Sequence, residues 1–383
     1  MTASGFAPIG SPNRPRTLHV IDTGGPGGAE TVFAQLVEAA LKRGQNIGAV
    51  VPYDGWLAQR LRSVGVEPVI QASKGSFNFA LARRLFALVR TRRGDVIHAH
   101  LLGSSVYAAM VGLVTRCPVI AVFHGATDLG NAGATAPLKR WLLTRSHVTV
   151  VAVSDAVKHS LDAWGIDAGR VVVIINGVDT QAFVPGRTDR LRDELGLGPR
   201  VRIVGAVGNL RKAKAYDVFV RAAAEVVRRM PDVHFVAAGQ GSAADMQALL
   251  RLRRELGVDA NVHFLGFRAD GAALYQAMDV FVSSAASEGL PLSFLEAMAC
   301  GVPIAATANE GAERLLRQTG GGLLSPVGDA AALAASILLL LSDRQRAIDV
   351  ATAGREAVER DFSLTATLEN YAALCAAVAA GAR

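Results

Sequence analysis

The chain has 383 residues, 51% of them hydrophobic, and 40 Lys and Arg against 33 Asp and Glu give a formal net charge of +7. That length exceeds what one core usually fills, so two domains are expected, and no apolar run approaches the roughly 18 residues of a spanning helix. Three cysteines, odd in number and far apart, exclude a disulfide framework and a zinc cluster, and the N-terminal SGFAPIGSPNRPRT lacks a signal-peptide apolar region, so a cytoplasmic protein is expected.

In chain order, residues 1–16 read as a disordered tail. TLHVIDT is a first strand, GGPGG a turn and AETVFAQLVEAALKRG an apolar-periodic helix capped by Gly44. Gly27 and Gly28 let this turn approach a phosphate. Gly25 and Gly27 are spaced as in a dinucleotide fingerprint, but its third position falls on Glu30, which disfavours a nicotinamide site. After the strands NIGAVVPY and VEPVIQA comes LARRLFALVRTRRG. It sets Arg83, Arg84, Arg90, Arg92 and Arg93 around Leu81, Leu85, Phe86, Leu88 and Val89. That pattern fits an interfacial helix on an anionic membrane, or an ordinary surface helix of an arginine-rich protein. All of the net charge lies in this half, since residues 1–180 hold 18 Lys and Arg against 11 Asp and Glu.

DVIHAH and PVIAVFHG run apolar and then present His98, His100 and His124. His98 and His100, two apart, share a strand face. They have no third metal ligand nearby in sequence, so a structural role is expected for them. VTVVAVS and VVVIING complete a first Rossmann-like series, and GVDTQAFVPGRTDRLRDELG reads as a polar linker, with the boundary inside residues 176–195.

The second series opens on the buried strand VRIVGAVGNL, followed by Arg211, Lys212 and Lys214 and the amphipathic run YDVFVRAAAEVVRRM. Ligands in open α/β sheets bind outside the carboxyl ends of strands, which is where these cations fall. Strands VHFVAAG, VHFLGF, VFVSSA, PIAATA and GGLLSP follow, and RDFSLTATLENYAALCAAVAA is helical in pattern. The most informative segment is residues 287–313. Glu288 lies in a loop, Pro291 suits the first helical turn, Glu296 lies inside the helix, and Gly301 with Pro303 ends it. The free N–H groups of residues 290–293, Pro291 excepted, and the helix dipole make a seat for phosphate. No repeat of 20 to 50 residues and no interleaved basic and aromatic stripe occurs, so neither a solenoid nor nucleic-acid binding is expected.

The run from Glu288 through GLPLSFL to Glu296 resembles the glutamate, seven residues, glutamate motif of the retaining glycosyltransferases of family 4. The Gly27-Gly28-Ala29-Glu30 step, the Phe-His-Gly step at His124, the Arg211 and Lys214 pair, and VSDAVK, INGVD and GQG are similar to that family's pattern in order. The resemblance covers roughly residues 17 to 380. It implies a GT-B fold: an α/β protein of two Rossmann-like domains facing each other across a cleft. Residues 17–182 would form the acceptor domain and 183–363 the nucleotide-sugar donor domain, with 364–383 a helix packing back on the first.

The same resemblance implies the residue roles. Glu288 and the amides of Gly289, Leu290 and Leu292 would hold the donor sugar and diphosphate, and Glu296 the ribose. Arg211 and Lys214 would face the leaving diphosphate, Gly27 and Gly28 the donor phosphate, and His124 a sugar hydroxyl. Ala215 departs from the glycine usual in the family after the lysine. Sugar transfer with retention, no cofactor and no metal are implied, and the chain has no Asp-x-Asp pair. The partners would be a nucleotide sugar and a glycan, lipid-linked or small-molecule acceptor, with peripheral attachment to an anionic membrane through the arginines at 83–93. A nicotinamide-dependent oxidoreductase, a noncatalytic nucleotide-sugar binder and a sugar-nucleotide phosphorylase or epimerase are the competing readings. The motifs leave the donor base, the sugar and the acceptor open.

Overall fold

A computed structural model describes residues 16–72, 79–92, 95–125, 129 and 133–381. Residues 1–15 of the expected N-terminal tail and Arg93 lie outside these residues, Arg16 opens the first strand rather than closing the tail, and of Arg92 only the backbone is described. The chain divides into two units, the first running to Asn176 and regaining the chain from Ala366, the second spanning Gly177–Thr365.

The first unit opens with β1 (Arg16–Ile21), α1 (Gly28–Lys42), β2 (Asn46–Val51), α2 (Trp56–Ser63), β3 (Val69–Ile70) and α3 (Phe79–Arg92). It continues with β4 (Val96–His100), α4 (Leu102–Thr115), β5 (Val119–Phe123), α5 (Ala136–Leu143), β6 (Val148–Ala152), α6 (Asp155–Ala163) and β7 (Val171–Val173). The second unit holds α7 (Arg190–Glu194), β8 (Arg202–Val207), α8 (Tyr216–Arg229), β9 (Val233–Ala238), α9 (Ala243–Glu255), β10 (Val262–Gly266) and α10 (Ala272–Gln276). Then come β11 (Val280–Ser283), α11 (Leu292–Ala299), β12 (Ile304–Thr307), α12 (Glu310–Thr319), β13 (Gly322–Ser325), α13 (Ala330–Ser342) and α14 (Arg344–Asp361). Helix α15 (Leu364–Gly381) returns to the first unit.

The sheet orders are β3-β2-β1-β4-β5-β6-β7 and β10-β9-β8-β11-β12-β13, all pairs parallel. Both reverse direction beside their first strand, so each has a switch point where strand ends diverge and a ligand can enter. Parallel strands covered on both faces read as continuous apolar runs, and β5, VIAVF, is buried at every position. All three cysteines are buried. Among the described residues no helix is long and apolar enough to cross a membrane.

Part of the expected polar linker packs into the second unit. Leu191 and Arg192 of α7 are buried, and Arg192, 1% exposed, donates to Asp279, itself 4% exposed, at 2.9 Å. That one charge is paired inside the unit, while Arg187, Asp189, Arg190, Asp193 and Glu194 of the same stretch are exposed. Asp279 is also the acceptor for the Ile203 N–H, which ties α7 to the start of the central strand β8.

Candidate functional site

In the second unit the site grows from three strand ends. After β8, Gly208 has φ 154°, and a Cβ there would lie 3.3 Å from Lys214 Cε and Nζ, so the lysine lies alongside a bare backbone. Lys214 reaches Glu288 at 2.5 Å; its side chain is 27% exposed and that of Glu288 7%. The two residues expected to serve diphosphate and sugar separately are thus one ion pair. Arg211 and Lys212 are exposed beside it.

The loop carrying Lys214 is fixed from below. Ser284 Oγ donates to the Lys214 carbonyl at 2.9 Å, and the Ala286 N–H to the Ala213 carbonyl at 2.8 Å. Ala215 sits at φ 45°, ψ 51°, in the left-handed region that glycine adopts freely. The departure from the family's glycine is therefore a real backbone cost, on the order of 1–2 kcal/mol for a residue with a Cβ.

Glu288 is held by groups the sequence did not single out. Thr307 Oγ1 and Asn309 Nδ2 donate to the Ala285 carbonyl at 2.6 and 2.9 Å, fixing the loop after β11. Gly311 lets the start of α12 lie against the Glu288 and Gly289 carbonyls, where a Cβ would collide with both. Pro291 is the N-cap of α11, one position before the first helical turn expected for it, with φ −75° and ψ 110°. Gly301, at φ 69°, does end the helix. Gly289, Leu290 and Leu292 are half-buried around this helix start, whose first N–H groups lack intrahelical acceptors.

Glu296, on α11, accepts a hydrogen bond from the buried Tyr275 hydroxyl. Burial pushes its carboxyl up to about 7, against the opposing effect of that bond. Tyr275 carries no motif signal, since an aromatic residue in ALYQAMD reads simply as core.

The first unit is built from imidazoles. His19 on β1 pairs in register with His98 on β4, and His98 and His100 share a face of β4 as their spacing requires. The rings of His19 and His98 lie 4.9 Å apart, His98 and His100 4.8 Å, and His100 and His124 5.2 Å. Tyr371 of α15 covers His98 at 5.4 Å. His124, half-buried at the end of β5, lies with Nε2 2.9 Å from His100 Nδ1. Burial lowers all four, His19 to about 3, His124 to about 4, and His98 and His100 well below the ordinary value, so they are neutral at pH 7.

His19 supplies the third metal-capable nitrogen that His98 and His100 lacked in sequence, and the three ligand atoms lie within 4.8 Å of one another. The signal was present in TLHVIDT, where His19 alternates with Leu18 and Val20 across the strand. Their geometry suits stacking better than ligation. His98 and His100 lie 24° from parallel, and ring lone pairs are in the ring plane, so they do not converge on one point. The outer nitrogens also lack the acceptors that usually orient metal-bound imidazoles, since His19 Nδ1, both His98 nitrogens and His100 Nε2 have no partner among the described residues.

Gly27 is the extended N-cap of α1, and Gly28 begins that helix. The Glu30 carboxylate lies where a Gly27 Cβ would be, and Glu30 is 5% exposed. Asp22, at the end of β1, accepts the Ser104 N–H at 3.1 Å and so caps α4; burial raises its carboxyl to about 6.

Two parallel Rossmann-like sheets, with an ion-paired glutamate and lysine at the strand ends of the second, define a GT-B glycosyltransferase architecture. The family model described as Glycosyltransferase Family 4 matches residues 26–182, and that described as Glycosyl transferases group 1 matches residues 201–343. The chain belongs to this family of glycosyltransferases. It is 28% identical over 321 residues to the D-inositol 3-phosphate glycosyltransferase of Corynebacterium aurimucosum, covering 79% of this chain and 74% of that protein. It is 30% identical over 269 residues to the protein of the same name from Nocardia farcinica, covering 66% of this chain and 60% of that one. Against the Mycobacterium tuberculosis protein it spans about half of the relative's length, 47%, at 31% identity and with 56% of this chain covered. Among solved structures it is similar to Anabaena HepE in complex with UDP and glucose, with TM-score 0.84, 23% identity, and 94% and 99% of the two chains covered. Sucrose-phosphate synthase from Thermosynechococcus elongatus superposes with TM-score 0.80 at 22% identity, covering 96% of this chain and 100% of that one.

Proposed function

We propose that the protein moves a sugar from a nucleoside diphosphate sugar to an acceptor hydroxyl with retention of configuration, without a divalent metal or a cofactor. The observation that carries this reading is the Lys214–Glu288 pair at the strand ends of the second unit, inside the glutamate, seven residues, glutamate motif. As the anomeric bond breaks, negative charge develops on the diphosphate, and a preorganised cation beside it lowers the barrier. Lys214 would turn toward that charge and Arg211 would join it. Glu288 would then have its oxygens directed at sugar hydroxyls, Glu296 would accept from the ribose, and the α11 amides would meet a phosphate. His124 would contact a sugar hydroxyl from the first unit. Retention follows the family, with the leaving phosphate taking the acceptor proton during front-face attack, so no protein nucleophile is required.

HepE, whose structure holds UDP and glucose, supports a UDP-sugar as the first donor to try. The relatives named for D-inositol 3-phosphate support a phosphorylated polyol among the acceptors. The test is donor hydrolysis or transfer over a panel of UDP-, GDP- and ADP-sugars in excess EDTA. Activity that vanishes with chelator and returns only with magnesium or manganese overturns the metal-free mechanism. Binding without any turnover supports a noncatalytic binder.

A second observation favours attachment to an anionic membrane surface. Helix α4 packs between α3 and α5. It exposes Met110, Leu113 and Val114, and α5 exposes Leu138 and Trp141, with Arg145 4.5 Å over the Trp141 ring. Arg83 and Arg90 of α3 are also exposed, Arg84 is half-buried, and Arg90 lies 5.6 Å over Phe86. Apolar and aromatic groups beside cations suit a headgroup boundary, where each nearby cation adds about 1 kcal/mol. Cosedimentation with anionic vesicles should fade as salt rises, and neutral vesicles should bind poorly. Equal binding to both, or none to either, removes the proposal.

A further inference from the structure

The stacked rings of the first unit do more than fill its core. His100 is fully buried and gripped on three sides, by His98 at 4.8 Å, by His124 at 5.2 Å and by the edge of Phe33 at 5.2 Å. Its carbonyl accepts from Ser104 Oγ at the start of α4, so backbone and ring are both restrained. His124, by contrast, is half-buried at a strand end, where an imidazole by itself can flip about its last torsion or change tautomer.

We infer that His100 is a positioning residue for His124: the 2.9 Å contact between His100 Nδ1 and His124 Nε2 fixes both the plane and the tautomer of the His124 ring. The inference rests on the reading that His124 meets the donor sugar and adds how it is made ready to do so.

The tautomer follows from the atoms left over. Both rings are neutral, so one nitrogen must donate to the other across this contact. His100 Nε2 is buried with no partner among the described residues. If His124 donated, His100 would carry its proton on Nε2 and strand an N–H donor, which buried structures rarely tolerate. If His100 donates from Nδ1, only a lone pair is left without a partner. His100 therefore donates and His124 Nε2 accepts, which places the His124 proton on Nδ1. The ring is then held as a hydrogen-bond donor suited to a hydroxyl oxygen. The column continues through His98 to Tyr371 on α15, so the returning helix braces the ring that orients His124.

Three variants and one spectrum test this. An Asn side chain places an amide N–H near the position of imidazole Nδ1, whereas Phe keeps the stacked ring and removes the donor. His100→Phe should lower kcat roughly 10- to 100-fold, the scale of a misplaced contact group, with a donor KM changed much less. His100→Asn should recover most of kcat while melting no higher than His100→Phe. In the unmodified protein, nitrogen-15 NMR of the imidazoles should show His124 as the Nδ1–H tautomer, and His100→Phe should convert it to a mixture. A wild-type His124 found as Nε2–H overturns the inference whatever the kinetics. So does a His100→Phe variant with native turnover beside a crippled His124→Ala. If His124→Ala itself turns over normally, the sugar-contact reading fails, and the spectrum still decides the geometric claim.

Discussion

The two units share a strand order and differ in the chemistry at their strand ends. In the first, β1, β4 and β5 deliver imidazoles that burial keeps uncharged, and one carboxyl, Asp22, raised to about 6. In the second, β8 and β11 are followed by a lysine and a glutamate paired at 2.5 Å, with Arg211 exposed beside them. A neutral, rigid surface is suited to recognising hydroxyls by geometry, whereas preorganised paired charges are suited to a group whose charge grows during reaction. The same contrast appears in the supports, since a ring-to-ring hydrogen bond holds His124 while an ion pair pre-orients Lys214. On the proposed function, one half would supply shape recognition and the other charge stabilisation.

Acidification should produce the largest effect and break the symmetry first. The four histidines of the first unit have folded pKa values below the unfolded 6.5, so below pH 6.5 the unfolded chain binds more protons. Their contribution is complete above pH 6.5 and is lost as pH falls toward the folded values, by about 1.4 kcal/mol per pH unit for each histidine. Urea unfolding at pH 7.5 and 5.5 should show a drop of several kcal/mol. An unchanged midpoint would show that the rings are protonated or solvated in the folded state.

Lys214→Ala should lower turnover by on the order of 10² to 10³, as for deleting one preorganised donor at developing charge. Because Glu288 is only 7% exposed, the variant also leaves a shielded carboxylate without its cation, and a lower melting temperature is expected. Parallel alanine variants at Arg211 and Lys212 locate the working cation. A near-native Lys214→Ala beside a crippled Lys212→Ala would move the diphosphate contact to the exposed neighbour.

Glu296 sharpens the contrast with the opposite sign. Its folded pKa, about 7, lies above the unfolded 4.5, so its contribution to stability is present below pH 4.5 and lost as pH rises through 7. Ribose binding runs the other way, because the charged carboxylate is the better acceptor. Calorimetry of a nucleoside diphosphate should therefore show affinity rising about three- to tenfold from pH 6 to pH 8, with a flattened profile in Glu296→Gln. Equal slopes in both proteins would remove Glu296 from the ribose.

The smallest expected effect is a gain. Ala215→Gly relieves a left-handed backbone at the mouth of α8 and should stabilise the second unit by about 0.5–1 kcal/mol after the added unfolded-state entropy is counted. A melting temperature that falls would show that the loop strain is compensated by packing of the Ala215 methyl.

Much of the second unit's site was legible because its chemistry lies in contiguous motifs. Glu288, Glu296 and Lys214 stand out through their resemblance to the family's motifs, and Ala215 as a departure from that family's glycine. The first unit hid more. His19 was ordinary within an apolar strand and became part of a column only when β1 paired with β4, and Tyr371 joined that column from 273 residues beyond His98. Glu30 announced a misfit to a dinucleotide fingerprint, but that its carboxylate sits over Gly27 depends on how α1 begins.

By itself the sequence determined the alternation of strands and helices and two Rossmann-like series, since hydrophobic period and glycine or proline punctuation are local signals, and its motifs carried the resemblance to the family. Only the tertiary structure decided that Lys214 pairs with Glu288, that Tyr275 donates to Glu296, that Arg192 is buried on Asp279, and that four imidazoles lie side by side. Strand order chooses which residues distant in the chain become neighbours, and burial then sets their charge. Neither quantity exists until the sheets have formed.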